Sequence, residues 1–571
     1  MQKIKMLIAS LLAMLVLIPA CKDEFLDVAP TGSLSSVELS TLPGLEGSLI
    51  AAYSMLLGRS GFYSDASNWF WGSVLGGDAN KGTNAGDQSQ VNEIQTYAAQ
   101  TTNASVAEKY RATFEGVARS NATLGLVAVA EAAGTVSTSD LTRIAAEARF
   151  LRGHYYFDLK RNFNNVPYVD ENWDEVTPVS NNQDLWPFIE ADFQYAFDNL
   201  PETQGDAGRA NKWAAAAYLG KTYLYQGKWA QAKTMFDDVI TKGVTAKGQP
   251  FSLNANYADA FRSTNDNSAE SVFAGQAAAG TGSIENANPA MVLNFPNGTT
   301  GPGCCGFFQP SIELGNSFRT NANGLPLLDG SYNSAANAVA NDQGINTSAA
   351  FTPDAGNLDP RIDHSIGRRG IPYLDWGVHP GKDWIRDQPY GGPYSPKKFI
   401  YYLAGNGSEN DLSSWTPGYT AVNYNIIRFS DVLLMAAEAE IELNNLDAGR
   451  ILINRVRDRA KASPVLDANG DPAANYVIEP YASFSNQDQA RTAVRFERKL
   501  ELSGEGHRKY DLVRWGIAEP TLNAYLAYER PFLNDPFGGA VFKSNNDEYL
   551  PIPQSEIDLQ GADVLIQNPG Y

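Results

Sequence analysis

Residues 211–241 read NKWAAAAYLGKTYLYQGKWAQAKTMFDDVIT. Apolar and small residues recur here at helical spacing on both sides of a short break, Gln226-Gly227-Lys228. Such spacing predicts two amphipathic helices joined by a tight turn. Gly220 and Ala232 would let the helices approach closely, while Tyr223 and Phe236 would fill the space between them. The stretch therefore predicts an antiparallel helix pair.

The spacing of Leu219, Gly220, Tyr223, Ala232 and Phe236 matches the relative spacing of the tetratricopeptide pattern. Helical periodicity also predicts further helices, one beginning near Leu45 and others at about 105–132, 138–161 and 184–199, and a weaker relative of the pair at 426–461. Paired helices of this kind stack into curved scaffolds. The predicted fold class is mainly α, with tetratricopeptide-like helix pairs as the scaffold.

Two long insertions interrupt this helical pattern. Residues 57–104 and about 250–420 are rich in Gly, Asn, Pro and aromatic residues, with little helical period. Long segments of this kind are uncommon and usually functional. We predict a single body over 41–571, divided into three parts. These are a helical scaffold at about 41–56, 105–245 and 424–516, an irregular ligand-binding lobe at about 57–104 and 250–420, and a C-terminal segment at 517–571.

The N-terminus carries an export signal. Lys3 and Lys5 precede an apolar run at 6–18, and Cys21 directly follows Ala20. This arrangement predicts a secretory signal over 1–20, with Cys21 in the position of a bacterial lipoprotein's lipid-bearing cysteine. The alternative is a plain secretory signal with a chance cysteine. Residues 21–40 would then form a tether; the polar KDE at 22–24 resembles a surface-export signal, or is simply a hydrated linker.

Charge and composition exclude several classes of function. The chain has 64 acidic and 44 basic residues, a net charge of −20, which argues against nucleic acid and anionic membrane patches as partners. Its four histidines and three cysteines form no HExxH or CxxC pattern. No metal site and no cofactor are predicted.

A set of short motifs spread from end to end resembles the SusD/RagB family of nutrient-binding outer-membrane lipoproteins. The matching segments are CKDEFLD at 21–27, EARFLR at 147–152, NVPY at 165–168, the helix pair at 211–241, IRFSDVLLMAAE at 427–438, NRVR at 454–457, ERKLELSGEGHR at 497–508, YDLVRWG at 510–516, LPIP at 550–553 and QNPGY at 567–571. Each motif is weak by itself, whereas the set is specific.

The resemblance implies a binding protein and not an enzyme. Members of the family lie as a lid on a TonB-dependent (SusC-like) outer-membrane transporter, and they capture oligosaccharides or, in some cases, peptides. The implied location is the outer membrane, lipid-anchored and facing outward. We therefore expect a surface protein that captures oligosaccharide or polysaccharide and delivers it to such a transporter.

A charged run near the C-terminus predicts architecture and not chemistry. Its signs alternate along one or two helices, which is typical of a salt-bridged face or a partly buried ion network. The run contains Glu497, Arg498, Glu501, Glu505, Arg508, Asp511 and Arg514.

The first candidate ligand loop spans 63–81. A sugar site combines flat apolar walls with a few hydrogen-bonding groups. This loop offers Tyr63, Trp69, Trp71, Asp78 and Asn80. In an extended segment Trp69 and Trp71 would face the same side, and the resemblance implies that aromatic residues of this insertion contact ligand. The alternative is that one of the two tryptophans packs in the scaffold.

The second candidate loop is GPGCCGFF at 301–308. Adjacent cysteines in an exported protein can close an eight-membered disulfide ring, which presents a rigid apolar plate. The hypothesis is that Cys304 and Cys305 form this ring and contact ligand beside Phe307 or Phe308. The alternative is a reduced pair, or one that only fixes the turn, because disulfide geometry is demanding.

The third candidate loop, at 359–402, interleaves aromatic and charged residues between Gly-Pro turns. It could be a ligand wall, a transporter contact or a lobe core held by Arg–Asp pairs; core with a partial wall is the favoured reading. Arg369, Asp375 and Trp376 are its candidates for contact with ligand.

Two other functions stay open at this point. A peptide-binding member of the same family would use Arg368, Arg369 or Arg386 for charged termini. A glycoside hydrolase would need a carboxyl pair about 5–9 Å apart, but with 64 acids such pairs arise by chance. No catalytic residue is predicted.

Overall fold

The computed structural model describes residues 35–58, 61–174, 176–534 and 536–571. The predicted signal, Cys21 (the predicted site of lipid attachment) and most of the predicted tether lie outside these ranges. Within them, no helix is long and apolar enough to cross a bilayer.

The scaffold consists of long helices that pack on their neighbours in sequence. Its helices before the large insertion are α1 (Ser36–Leu39), α2 (Leu42–Ser54), α4 (Ala104–Ala133), α5 (Thr138–Phe163), α6 (Trp186–Asn199), α7 (Lys212–Tyr225) and α8 (Trp229–Lys242), with the short α3 (Asn92–Gln95) in the first insertion. Each of α4 to α7 packs on the next helix in sequence. Side-chain caps fix several starts: Asn211, for example, accepts a hydrogen bond from Ala214 N at the start of α7.

The pair α7–α8 shows why residues 211–241 define the scaffold. A Cβ atom added to Gly220 would lie 2.7 Å from the ring of Phe236, so only glycine permits this helix approach. Gly227 takes a positive φ of 68° in the turn between the helices. Leu219, Ala232 and Phe236 are fully buried. The predicted helix pair is confirmed in both position and packing.

The chain leaves the scaffold after α8 and returns to it at Phe429. The later helices are α12 (Phe429–Glu442), α13 (Leu446–Lys461), α14 (Gln487–Glu501), α15 (Arg508–Arg514), α16 (Ala518–Glu529) and α17 (Gln554–Gln560). Helix α12 packs directly on α8, and α13 and α14 pack on α12. The stack of helices therefore continues across the insertion.

The inserted lobe has little regular structure. Its short helices are α9 (Ile312–Ser317), α10 (Arg361–Ser365) and α11 (Gln388–Gly391). Three two-stranded antiparallel ladders pair β1 (Ala79–Gly82) with β3 (Phe307–Pro310), β2 (Ser271–Gly275) with β6 (Tyr424–Arg428), and β4 (Ile366–Gly367) with β5 (Ser395–Pro396). The β2–β6 ladder closes the lobe where it joins the scaffold. The observed architecture is the predicted mainly helical scaffold with a loop-rich lobe.

The charged run predicted to be architectural forms a buried network where lobe and scaffold meet. Arg361 of α10 pairs with Glu497 at 2.6 Å and with Glu501 at 3.0 Å, and Lys398 pairs with Glu505 at 2.7 Å. These side chains are at most 5% exposed. Groups buried to this degree have to be paired, because an isolated charge away from water is very costly. The prediction of an ion network is confirmed, although it is buried more deeply than expected.

Candidate functional site

The β1–β3 ladder brings the first and second candidate loops together. Asn80 lies opposite Gln309, and Gly82 lies opposite Phe307. Below the ladder, the rings of Trp69 and Phe308 meet edge to face at a centroid distance of 5.9 Å. Segments more than 200 residues apart in sequence thus share one small sheet and one aromatic cluster.

The aromatic residues of the first loop belong to the core. Trp69 and Trp71 are each 1% exposed, and Tyr63 is 6% exposed. The segment is a π-helical turn, Trp69–Val74, and not an extended strand. The indole nitrogens of both tryptophans donate to backbone carbonyls, Trp69 to Phe62 at 2.8 Å and Trp71 to Tyr63 at 2.5 Å. No face of either ring is open to solvent in this structure, so the burial does not support a stacking role for Trp69 or Trp71, which stays a prediction.

Asp78 and Asn80 are also structural. Asn80 donates to Gly391 O at 3.0 Å and accepts from the Tyr525 hydroxyl at 2.8 Å. Asp78 accepts from the Gly504 amide at 3.0 Å, and burial raises the pKa of its carboxyl to about 6. Both side chains are 1% exposed, so they tie loops together and do not face a soluble ligand. As with the tryptophans, this burial does not support their role as ligand contacts, which stays a prediction.

Cys304 and Cys305 are joined by a disulfide, with their Cα atoms 3.7 Å apart. Cys305 takes a positive φ of 76° and Gly306 one of 71°. The Gly306 amide donates to Cys304 O at 2.9 Å and to Phe295 O at 3.0 Å, which anchors the turn on the lobe. Both cysteines are only half-buried. The predicted ring is present and reaches the surface.

Phe307 and Phe308 follow the disulfide but turn inward. Phe307 is fully buried and Phe308 is 8% exposed. Since β3 pairs with β1 at this point, the chain has entered the core immediately after the ring. The burial of both rings does not support a ligand contact beside the disulfide, which stays a prediction.

Polar side chains lie close to the disulfide turn. A Cβ atom added to Gly306 would lie 3.3 Å from Cβ of Arg386 and 3.4 Å from Cβ of Asn297. Arg386 donates to Asp87 at 2.5 Å and to the Thr83 hydroxyl at 3.0 Å. The Arg386 and Asp87 side chains are 38% and 29% exposed. An apolar plate thus lies beside an exposed ion pair and an amide; we call Cys304, Cys305, Asn297, Arg386 and Asp87 the disulfide patch.

The third loop places a partly exposed tryptophan, Trp376, close to this region. Trp376 is half-buried; its indole nitrogen donates to Tyr401 O at 3.0 Å, and the two rings meet edge to face at 5.6 Å. The Tyr401 hydroxyl in turn donates to Pro302 O, 3.1 Å away in the disulfide turn. Trp376 and the disulfide turn therefore share Tyr401 as a common support.

The other two candidates of the third loop bind the backbone. Arg369 donates to the carbonyls of Asn346, Thr347 and Ala349 at 3.3, 2.7 and 2.6 Å. Asp375 is exposed, but its carboxylate accepts from the amides of Leu403 and Ala404 at 2.6 and 2.9 Å. Their hydrogen-bonding capacity toward a ligand is largely used. The favoured reading of this loop, core with a partial wall, fits Trp376 as the wall.

Sequence reasoning missed several surface groups. Asp87 and Asn297 carry no motif; the structure brings Asp87 to the disulfide turn through its ion pair with Arg386, and Asn297 through its proximity to Gly306. Trp415 is 61% exposed and Trp173 is 40% exposed, more than any tryptophan proposed as a ligand contact. Each lies in a polar or turn-forming stretch. This sequence context is what could have indicated that the tryptophan is not part of the core. Over the described ranges, no group of three or more His, Cys, Asp or Glu side chains could hold a metal ion.

The fold and the patch define a class of protein: a tetratricopeptide-like scaffold that carries a loop-rich lobe with apolar and polar surface side by side. Residues 269–571 match the sequence profile described as the SusD family, and residues 24–224 match one described as starch-binding associating with outer membrane. The chain belongs to the SusD family of the Bacteroidota, as the sequence motifs indicated.

Individual relatives have low sequence identity to this chain, but the alignments extend over most of its length. A SusD-like protein of Bacteroides ovatus is 26% identical over 99% of this chain and 95% of its own length. SusD-like protein P25 of Formosa agariphila is 29% identical over 66% of this chain, and the match spans 64% of that relative's length.

Solved structures share the fold. A SusD superfamily protein of Bacteroides vulgatus aligns with a TM-score of 0.68 at 20% identity, over 93% of this chain and 100% of its own. A laminarin binding SusD-like protein aligns with a TM-score of 0.64 at 24% identity, over 93% and 99%. These similarities confirm the predicted fold class.

Proposed function

We propose that this protein is a non-catalytic surface protein that captures a neutral oligosaccharide or polysaccharide through its loop-rich lobe. The disulfide patch carries the proposal. An S–S plate and the edge of Trp376 offer apolar surface to the C–H face of a sugar ring, while Arg386, Asp87 and Asn297 offer hydrogen bonds to hydroxyls. This combination is the usual chemistry of a small-ligand site.

Family membership supports the cellular role. We propose that the chain is lipid-anchored through Cys21 at the outer membrane, faces outward, and hands its ligand to a partner TonB-dependent, SusC-like transporter. One matching profile is described as associating with outer membrane, and one structural neighbour is titled as laminarin binding. Those words describe the profile and the neighbour; for this chain they motivate the choice of ligands to test.

The peptide alternative has less support from the geometry. Arg368 forms a two-pronged pair with buried Asp363, at 2.6 and 2.8 Å, and Arg369 binds three carbonyls. Of the three arginines that could hold a peptide terminus, only Arg386 is exposed beside the patch. Peptide binding would depend on this single charge and would weaken with salt, whereas sugar stacking would depend little on salt.

Affinity electrophoresis tests the proposal. The protein starting at residue 22 would migrate through gels containing laminarin, soluble starch, xylan or mannan, beside Arg386→Ala, Trp376→Ala and a Cys304→Ser/Cys305→Ser double variant. Arg450→Ala, at a scaffold arginine paired with Asp447, is the matched control. We expect one glycan to retard the native protein and the control but to retard the patch variants less.

Two results would contradict the proposal. Equal retardation of all variants would remove the patch from the site. No retardation by any glycan, combined with salt-sensitive binding of peptides that Arg386→Ala abolishes, would favour the peptide alternative.

A further inference from the structure

A second cavity lies on the scaffold, away from the disulfide patch. It has a volume of about 370 Å³ and lies between α4, the segment 167–179 and α17. Pockets that bind small ligands commonly measure about 300–1,000 Å³. The proposed lobe site does not use it, and of the family motifs only NVPY at 165–168 contributes a lining residue, Pro167.

One wall of the cavity is apolar and includes an exposed tryptophan. Phe114, Pro167, Val169 and Trp173 line it. The indole nitrogen of Trp173 donates to Thr177 O at 2.8 Å, which holds the ring in place through its edge. With 40% of the residue exposed, the ring is available for stacking, unlike those of Trp69 and Trp71.

A hydroxyl without a partner lies in the lining of the cavity. Tyr110 is 4% exposed, and its hydroxyl has no hydrogen-bond partner among the described residues. Tyr110 and the mouth residue Glu556 both line the cavity, and burial, together with the Glu556 carboxylate, raises the pKa of the Tyr110 phenol. A buried hydroxyl without a partner is costly. A ligand hydroxyl bound beside Tyr110 would satisfy it.

The mouth of the cavity is polar but balanced in charge. Arg111 pairs with Glu556 at 2.8 Å and also donates to the Ser555 hydroxyl at 2.8 Å. Glu115 pairs with Arg119 at 2.9 Å. Because each carboxylate has its own arginine, the rim has no excess charge to attract an ion. Carboxylates, guanidinium groups and the Gln560 amide can still exchange hydrogen bonds with a neutral, polyhydroxylated ligand.

We propose that this cavity is a second carbohydrate site, in which a neutral sugar ring stacks on Trp173 and one of its hydroxyls binds Tyr110. The inference rests on the proposed function, since it adds a second contact with the same polymer. Two sites on one chain make the second binding event intramolecular, so a long glycan is held more tightly than a short one.

Two variants test the site with little risk to the fold. Trp173→Ala removes an exposed ring, and Tyr110→Phe removes only a hydroxyl that has no protein partner. Calorimetric titration with a short oligosaccharide of the glycan that retards the native protein should give two equivalents for the native chain. We expect one equivalent for Trp173→Ala and up to roughly tenfold weaker binding at one of the two sites for Tyr110→Phe.

The lobe variant Arg386→Ala separates the failure of this inference from failure of the proposed function. If the native chain binds one equivalent, which is lost in Arg386→Ala and kept in Trp173→Ala, the second site is overturned and the lobe site stands. If neither the native chain nor any variant binds a glycan of the panel, both proposals fall. Weaker retention of the polymer by Trp173→Ala, with the lobe equivalent intact, is the expected result.

Discussion

Arg428 donates from Nη1 to Oε1 of Glu501 over 2.6 Å, and both side chains are at most 1% exposed. Arg428 ends β6, where the chain returns from the lobe, and Glu501 ends α14 of the scaffold. The same guanidinium binds Glu505 at 2.7 Å and Glu270 at 2.9 Å. The Glu501 carboxylate also accepts from Arg361 and Arg459. The lobe is therefore attached to the scaffold by buried charges.

Glu501→Gln should destabilise the whole protein. The neighbouring arginines hold the pKa of Glu501 well below its usual range, so the carboxylate is charged when folded. Its removal leaves buried guanidinium groups without compensation, at a cost of roughly 3–5 kcal/mol. Urea unfolding of the protein starting at residue 22 would measure the loss as a lower midpoint.

The control for this prediction is an exposed ion pair. Lys461 and Glu479 are 48% and 49% exposed at 2.6 Å, and such pairs contribute little. We expect Lys461→Ala to change the free energy of unfolding by no more than about 0.5 kcal/mol. A loss for Glu501→Gln that is no larger than this would show that the network does not stabilise the fold.

Glu529 should make the protein less stable as the pH rises. Its carboxyl is fully buried, accepts from the Glu313 amide at 2.7 Å, and has its pKa raised from 4.5 to about 8, chiefly by burial. A raised carboxyl pKa means that the folded state favours the neutral acid. The contribution of this neutral carboxyl to the free energy of unfolding is fully present below pH 4.5 and is lost as the pH rises toward 8.

Glu529→Gln should remove this dependence. Relative to the native chain, the variant should gain stability between pH 5 and 8.5, by at most roughly 5 kcal/mol for a shift of this size. Chemical unfolding at several pH values would measure the gain, and Glu519→Gln, at an exposed position, is the control. A stability difference that stays constant with pH would contradict the assignment.

Trp71→Ala should act on stability and not on a ligand contact. Trp71 is 1% exposed and packs edge to face on Phe70 at 5.5 Å, so its removal opens a large core cavity. Such truncations cost about 3–5 kcal/mol. Thermal unfolding would detect this, while Trp415→Ala, at a residue 61% exposed, should leave the midpoint nearly unchanged. Native-like stability of Trp71→Ala combined with loss of glycan binding would reverse this reading.

The scaffold was predictable because the helical spacing of its apolar residues is visible within short stretches of sequence. Gly220 and Phe236 lie 16 residues apart, and helical spacing alone indicates that they meet. The lobe was less predictable, since its contacts join distant residues: Asn80 meets Tyr525 and Gly391, and Trp69 meets Phe308. The sequence of an aromatic-rich loop does not show whether its rings face solvent or the core. The adjacent cysteines are the exception, because their pairing is itself local.

The last prediction concerns that pairing. The chain has three cysteines, and a protein starting at residue 22 keeps only Cys304 and Cys305. With the disulfide present in the exported protein, thiol titration after unfolding should find no free thiol, whereas prior reduction should expose two. The same reduction should lower glycan retardation of the native chain, because opening the ring removes the apolar plate, and leave the mobility of the Cys304→Ser/Cys305→Ser variant unchanged. Two free thiols without reduction, in protein secreted through an oxidising compartment, would rule out the ring as part of the site.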